Sequence, residues 1–356
     1  MTVCILPAFL DCEHWIIFAI LFIGANDMLI HVNVFFHITK YYYTIPCESN
    51  MCVVVAKYLS DGWVLAKNRD QTYVSTVSFV DKPEPKVGGI FVLDDHKIEY
   101  REGMNHAGLV IITTSLTPLL DLETNKIDGD NIYAALRMSD PEEAAKFLIS
   151  KKMTGFIFCA TPEKLVLVEA ARKEKNGKQG AGEYVSTMRV VAKSEIIVRT
   201  NHGVDLPWAG FQYGTDKTQD LWRKSSETRK EIAEKVTRSA RTPADLLDAL
   251  AQWENKDTQL NVFRIENDPD GMRTIFQWAL APKENTVYVR AIQTKMNIDV
   301  TKEKVHIEVL DNEGVKKMYG GRIKHFTEIR TSKDGDRIKT VQTEGILSFK
   351  NWRKAV

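Results

Sequence analysis

The chain has 356 residues, 44% of them hydrophobic and 27% charged, with 48 basic against 47 acidic side chains for a net charge of +1. That is ordinary for a globular protein with one large core, or a core plus a small appended domain. There is no basic stripe with interleaved aromatics to favour nucleic acid, and five cysteines without a CxxC pair give neither a disulfide framework nor a zinc site.

The averages hide a break near residue 50. Ahead of it lie Cys4, Cys12 and Cys47, three of the eight histidines, and Lys40 as the one basic side chain. The apolar run "WIIFAILFIGA", Trp15 to Ala25, is 11 residues long, against the roughly 20 that a membrane-spanning helix needs. Asp11 and Glu13 stand where a signal peptide carries positive charge. A poor membrane anchor, a removable propeptide and translated sequence upstream of a true start at Met51 compete as readings, and the last is favoured. Residues 1–51 are therefore expected to stand outside the folded core, 52–295 to form the main domain, and 296–356 a small β-rich appendage.

From Cys52 the pattern becomes regular. "CVVVAKY" and "GWVLAKN" read as a hairpin turned by "LSD". Strands are expected in "GGIFVLDD", "GLVIITTSL", "GFIFCAT", "KLVLVEAA", "EYVSTMRVVAK", "EIIVRTN", "GMRTIFQWALAP" and "NTVYVRAIQ", all bounded by turn-forming residues. Helices fall in "SDPEEAAKFLISKK", capped by Ser139 or Asp140, in "DKTQDLWRKSSETRKEIAEKV", and in "TPADLLDALAQW", capped by Thr242. Blocks of strands separated by pairs of helices predict an α+β protein with mostly antiparallel sheets and helices on their outer faces.

Cys52 carries the most chemistry. A cysteine heading a strand is ordinarily a buried small hydrophobe, but Met51 precedes this one and is removable as an initiator. Loss of Met51 leaves Cys52 with an α-amine of pKa about 7.7–8.0. Nucleophile and general base then share one residue, and no histidine is needed. Any residue retained upstream turns the amine into an amide.

The "MC" opening a hairpin that ends in "AKNRD" resembles the N-terminal-nucleophile (Ntn) hydrolases, in the group of choloylglycine hydrolases, penicillin V acylases and isopenicillin N acyltransferases. That resemblance implies a four-layer αββα sandwich acting on linear amides other than ordinary peptides; no HExxH or His/Cys cluster argues for a metal, and no cofactor is expected. Weaker is the likeness to the NRDE proteins of transport and Golgi organisation, since this chain has "NRDQ"; it keeps open a non-catalytic binding or trafficking protein on the same scaffold.

The resemblance also assigns residues. Asp70, 18 positions after Cys52, stands where the family hydrogen-bonds the nucleophile's amine; an amine and thiol at position 52 served by that carboxylate would need both side chains on one face of the sheet. Lys67 falls at a substrate-side arginine position, a role Arg69 could share. "GMNHAGLVIITTS" matches a turn into a strand, with Thr114 and Ser115 at an oxyanion or substrate position. "VRTNHG" makes Asn201 the expected oxyanion donor, while His202, its neighbour, frames the pocket. "SSETR" makes Arg229 the expected holder of the nucleophile's surroundings. Trp63, Trp208, Phe211 and Tyr213 could line an acyl pocket or simply cover a core edge. The expected partner is a small-molecule amide, without nucleic acid or membrane for the mature domain, in the cytoplasm; a homo-oligomer is left open.

Overall fold

The computed structural model describes residues 51–72, 76–116, 122–173, 175, 181–210, 217–251, 258–264, 272–283, 286–291 and 295–301, together with the stretches 3–8, 17–22, 306–309, 333–334, 337–338 and 353–354. The chain divides into two units, Met1–Cys47 and Glu48–Val356. In the first, β1 (Val3–Ala8) and β2 (Ile17–Phe22) pair antiparallel with Val3 opposite Phe22; β2 lies within the apolar run.

The second unit opens with β3 (Val53–Leu59), β4 (Gly62–Gln71), β5 (Thr76–Lys82), β6 (Ile90–Asp95), β7 (Tyr100–Asn105) and β8 (Val110–Thr114). Helices α1 (Leu122–Ala135) and α2 (Pro141–Ser150) follow, then β9 (Gly155–Ala160), β10 (Leu165–Arg172), β11 (Tyr184–Val191) and β12 (Ile196–Arg199). Next come α3 (Lys217–Val236), α4 (Pro243–Ala249), β13 (Arg273–Ala281), β14 (Thr286–Ala291), β15 (Lys295–Thr301) and β16 (His306–Val309). Three short strands, β17 (Lys333–Asp334), β18 (Arg337–Ile338) and β19 (Arg353–Lys354), complete the described strands.

This is an α+β protein with two largely antiparallel sheets. One runs β11-β10-β9-β8-β7-β6-β5-β15-β18-β17, the other β12-β3-β4-β13-β14-β16-β19. Beyond residue 294 the chain continues both sheets, with β15 parallel to β5 and β16 parallel to β14.

Strand alternation sorts most of the core among the described residues into three large clusters. Val54 and Ala56 of β3 and Leu65 of β4 join Phe156 and Phe158 of β9 and Leu165 and Leu167 of β10 in one cluster, drawn from both sheets. The intervening Ile157, Cys159, Val166 and Val168 pack instead with Ile132, Ala144 and Leu148 of α1 and α2. On the other sheet, Val53, Val55, Val64 and Ala66 pack with Ala233, Leu246 and Leu247 of α3 and α4. Each buried Leu, Val or Phe contributes about 1.5–3 kcal/mol, so a change of face along β3 or β9 would be costly.

Local chemistry sets the helix starts. The Asp140 carboxylate accepts from Glu142 N at 2.8 Å and Glu143 N at 2.9 Å, ahead of Pro141. Thr242 and Asp245 cap α4 reciprocally. Within the main domain, strands β5 and β7 and helix α1 are among the elements not expected from the sequence pattern. In β7 the charged pair Arg101–Glu102 and Gly103 break the alternation; a Cβ at Gly103 would lie 2.0 Å from Phe91 O, so the glycine lets two strands meet. Strand β5 went unexpected although the turn-forming "PEPKVGG" follows it, and α1 has almost no amphipathic contrast. Among the described residues no helix is long and apolar enough to cross a membrane.

Candidate active site

The β3–β4 hairpin positions Cys52. Val53 lies opposite Asn68, and Met51 N donates to Asp70 O at 3.1 Å, so the ladder runs two residues beyond Val53. Cys52 therefore opposes Arg69. By alternation its side chain shares a face with Val54, Lys67 and Arg69, whereas Met51 shares the opposite face with Val53, Asn68 and Asp70. This corrects the expectation that the Cys52 and Asp70 side chains share a face. The parity of a hairpin with a two-residue turn forbids it, so the Asp70 carboxylate lies on the side of the strand opposite the thiol.

Arg229, fully buried on α3, joins the parts. Its Nη1 donates to Met51 O at 2.7 Å and to Asp70 Oδ2 at 3.3 Å, and its Nη2 donates to Asn201 Oδ1 at 3.2 Å. Asp70 takes a second hydrogen bond at Oδ1 from Thr274 Oγ1, 2.7 Å away. Thr274 sits opposite Asp70 on β13 at a bulge, and its hydroxyl also accepts from Arg264 N at 2.9 Å.

Asn201 lies two residues past the end of β12, the strand beside β3. Arg199 opposes Val54 in the β12–β3 register, and two further residues bring Asn201 across from Cys52. Its Nδ2 donates to Ser115 O at 2.8 Å and its main-chain N to Ser226 Oγ at 2.8 Å. Gly210, at φ 80°, closes over it: a Cβ there would lie 2.6 Å from Asn201 O. The buried Glu169 carboxylate accepts from the main-chain nitrogens of Val204, Asp205 and Leu206 at 2.8–3.0 Å, which ties down the loop after Asn201.

Of the four residues expected to be catalytic, Asp70 and Asn201 thus meet at the Arg229 guanidinium together with the Met51 carbonyl that is bonded to the Cys52 nitrogen, while the Cys52 thiol lies on the other face of the strand. The expected substrate contacts are not grouped this way. Lys67 Nζ donates to Glu102 Oε1 at 2.6 Å and Thr113 O at 2.8 Å, and Arg69 Nη2 meets Asp95 Oδ2 at 2.5 Å, all four charged side chains being buried. Both cations are matched by carboxylates. Thr114 Oγ1 reaches Thr200 O at 3.5 Å, and Ser115 enters through its carbonyl.

His202 turns toward α3: Nδ1 lies 2.9 Å from Ser226 Oγ and 3.2 Å from Thr200 Oγ1. Burial, followed by the cations Lys230, Arg229 and Arg199, pushes its pKa down to about 4, so the ring is neutral at pH 7. The Cys52 thiol is pushed up, chiefly by burial; Lys67 and Arg69 pull it down, and Asp70 and Glu102 push it further up. With Met51 attached, Cys52 is a neutral thiol with no exposed surface.

Sequence reasoning missed Thr274, Ser226, Glu102, Asp95 and Glu169. Ser226 had a signal, since it lies three positions before Arg229 on one helix face; the others meet the site through strand pairing and loop closure. Trp63 is core, Trp208 packs partly buried against the inter-sheet cluster, and Phe211 and Tyr213 lie outside the described residues. Among the described residues no three His, Cys, Asp or Glu side chains gather as a metal site. No family model matches the chain, and no curated protein matches its sequence.

Proposed function

We propose that this chain is an N-terminal cysteine amidohydrolase on a four-layer Ntn sandwich, acting on a small linear amide after Met51 is removed. One observation carries the reading: Arg229 bonds at once to the Met51 carbonyl, Asp70 and Asn201, the groups that surround the amine released at Cys52. The three apolar clusters, helices on sheet, sheet on sheet, and sheet on helices, support the sandwich.

In the proposed reaction Cys52 Sγ adds to the amide carbonyl carbon while its proton passes to the α-amine. An Asn201 N–H faces the tetrahedral oxyanion, a contact whose loss typically costs about 100- to 1000-fold in rate. The C–N bond breaks, the leaving amine takes the proton, and a thioester remains. Water then adds as its proton passes to the Cys52 α-amine, which returns it to sulfur as the thioester collapses. The C–S bond breaks, restoring the thiol and releasing a carboxylic acid; an amine in place of water gives acyl transfer. Asp70 and Arg229, on the Met51 side of the strand, orient the amine, and the guanidinium disfavours its protonated form.

The test is turnover of a chromogenic amide panel by protein beginning at Cys52 and by its Cys52→Ala variant. Loss of turnover on mutation supports the enzyme. A second reading, a non-catalytic binding or trafficking protein on this scaffold, draws on the complete burial of Cys52 and its raised pKa. Ligand binding without turnover by either form favours it.

A further inference from the structure

Met51 is held as a bound ligand would be. Its side chain, with no exposed surface, packs on Met272 and Trp222. Its N–H donates to Asp70 O at 3.1 Å, and its carbonyl accepts from Arg229 Nη1 at 2.7 Å. An apolar wall, an acceptor and a cationic donor thus define a slot the size of one amino acid. It lies on the face of the strand away from the thiol.

We infer that, once the chain ahead of Cys52 is gone, this slot binds a small N-acylated α-amino acid with an unbranched apolar side chain. The inference rests on the reading that Cys52 becomes the N-terminus. The ligand's amide N–H takes the place of the Met51 N–H at Asp70 O. Its carboxylate takes the place of the Met51 carbonyl at Arg229, beside the Cys52 nitrogen to which that carbonyl carbon was bonded. A carboxylate there favours the protonated α-amine. The bound ligand therefore withdraws the general base without blocking the thioester position, and acts as an inhibitor.

Calorimetry tests this on protein processed to Cys52, with N-acetyl-L-methionine, N-acetyl-L-norleucine, N-acetyl-L-valine and N-acetylglycine as probes. The full-length chain, whose slot Met51 fills, is the control. The first two probes are expected to bind about tenfold or more tighter than the last two, as burial of a linear apolar side chain requires. The Met272→Ala variant narrows that gap, full-length protein binds none of them, and saturation with N-acetyl-L-methionine slows alkylation of Cys52. Absence of binding by a processed chain whose Cys52 alkylates readily overturns the inference and leaves the N-terminal cysteine reading standing. A processed chain whose thiol alkylates no faster than in full-length protein overturns both. Should the processed chain not fold, full-length Met51→Gly opens the same apolar slot, and ethyl methyl sulfide should raise its Tm saturably but not that of the wild type. An unchanged Tm overturns the inference.

Discussion

Arg229 and Asp70 form a fully buried ion pair, Nη1 to Oδ2 at 3.3 Å, with no exposed side-chain surface on either partner. The same guanidinium nitrogen donates to the carbonyl of the Met51–Cys52 bond. Charge is thus set around the one peptide bond whose absence would expose a free amine at Cys52.

Removing one partner of that pair strands the other in the core. Arg229→Met should destabilise the full-length chain by about 3–5 kcal/mol, the usual cost of an uncompensated buried charge. Urea unfolding measures it. Arg229→Lys keeps the charge but not the fork, so it should retain more stability while losing at least one of the contacts to Met51 and Asn201.

Lys67 and Glu102 allow a cleaner cycle. Lys67→Met leaves the Glu102 carboxylate buried without its cation and is expected to cost about 3–5 kcal/mol. Lys67→Met with Glu102→Leu should recover most of that loss, and the coupling energy from the double-mutant cycle reads it directly. Additive costs would mean the pair is not the interaction seen at 2.6 Å.

Thr274→Val removes a hydroxyl while nearly preserving shape. Asp70 Oδ1 then loses its 2.7 Å donor and Arg264 N its acceptor. A loss of about 1–3 kcal/mol is expected. In the processed chain, amide turnover should fall more than substrate affinity, since Thr274 acts on Asp70 rather than on substrate.

His202 gives the protein a pH dependence. Its folded pKa is about 4 against an ordinary 6.5. Between those values the unfolded chain binds a proton that the folded chain refuses. The stability it contributes is therefore complete above pH 6.5 and is lost as pH falls, by about 3 kcal/mol at most near pH 4. Urea midpoints from pH 7 down to pH 4 should fall less steeply in His202→Gln than in wild type; equal slopes would contradict the assignment.

Much of this was legible in the sequence. The β3–β4 hairpin, the Asp140 and Thr242 caps and most strands follow from alternation and turn chemistry. Cys52, Asp70, Asn201 and Arg229 stand out by short local motifs, and the structure joins the last three by hydrogen bonds beside the Cys52 main chain. The opposite facing of Cys52 and Asp70 was also within reach, because Leu59 opposite Gly62 across a two-residue turn already sets the parity of every pair below it. What could not be read came from distant chain. Thr274 reaches Asp70 only through the β13–β4 register and its bulge, and Glu102 reaches Lys67 only because the two sheets face each other across the inter-sheet core. Strand β7 hid because Gly103 serves the approach of Phe91 rather than a turn.

The most direct test is the intact mass of Cys52-initiated protein mixed with a reactive amide or ester, beside the full-length chain and the Cys52→Ala variant. A single acyl increment on the Cys52-initiated chain, absent from the other two, is the predicted result. Equal acylation of the full-length chain, whose Cys52 nitrogen is an amide, would contradict it.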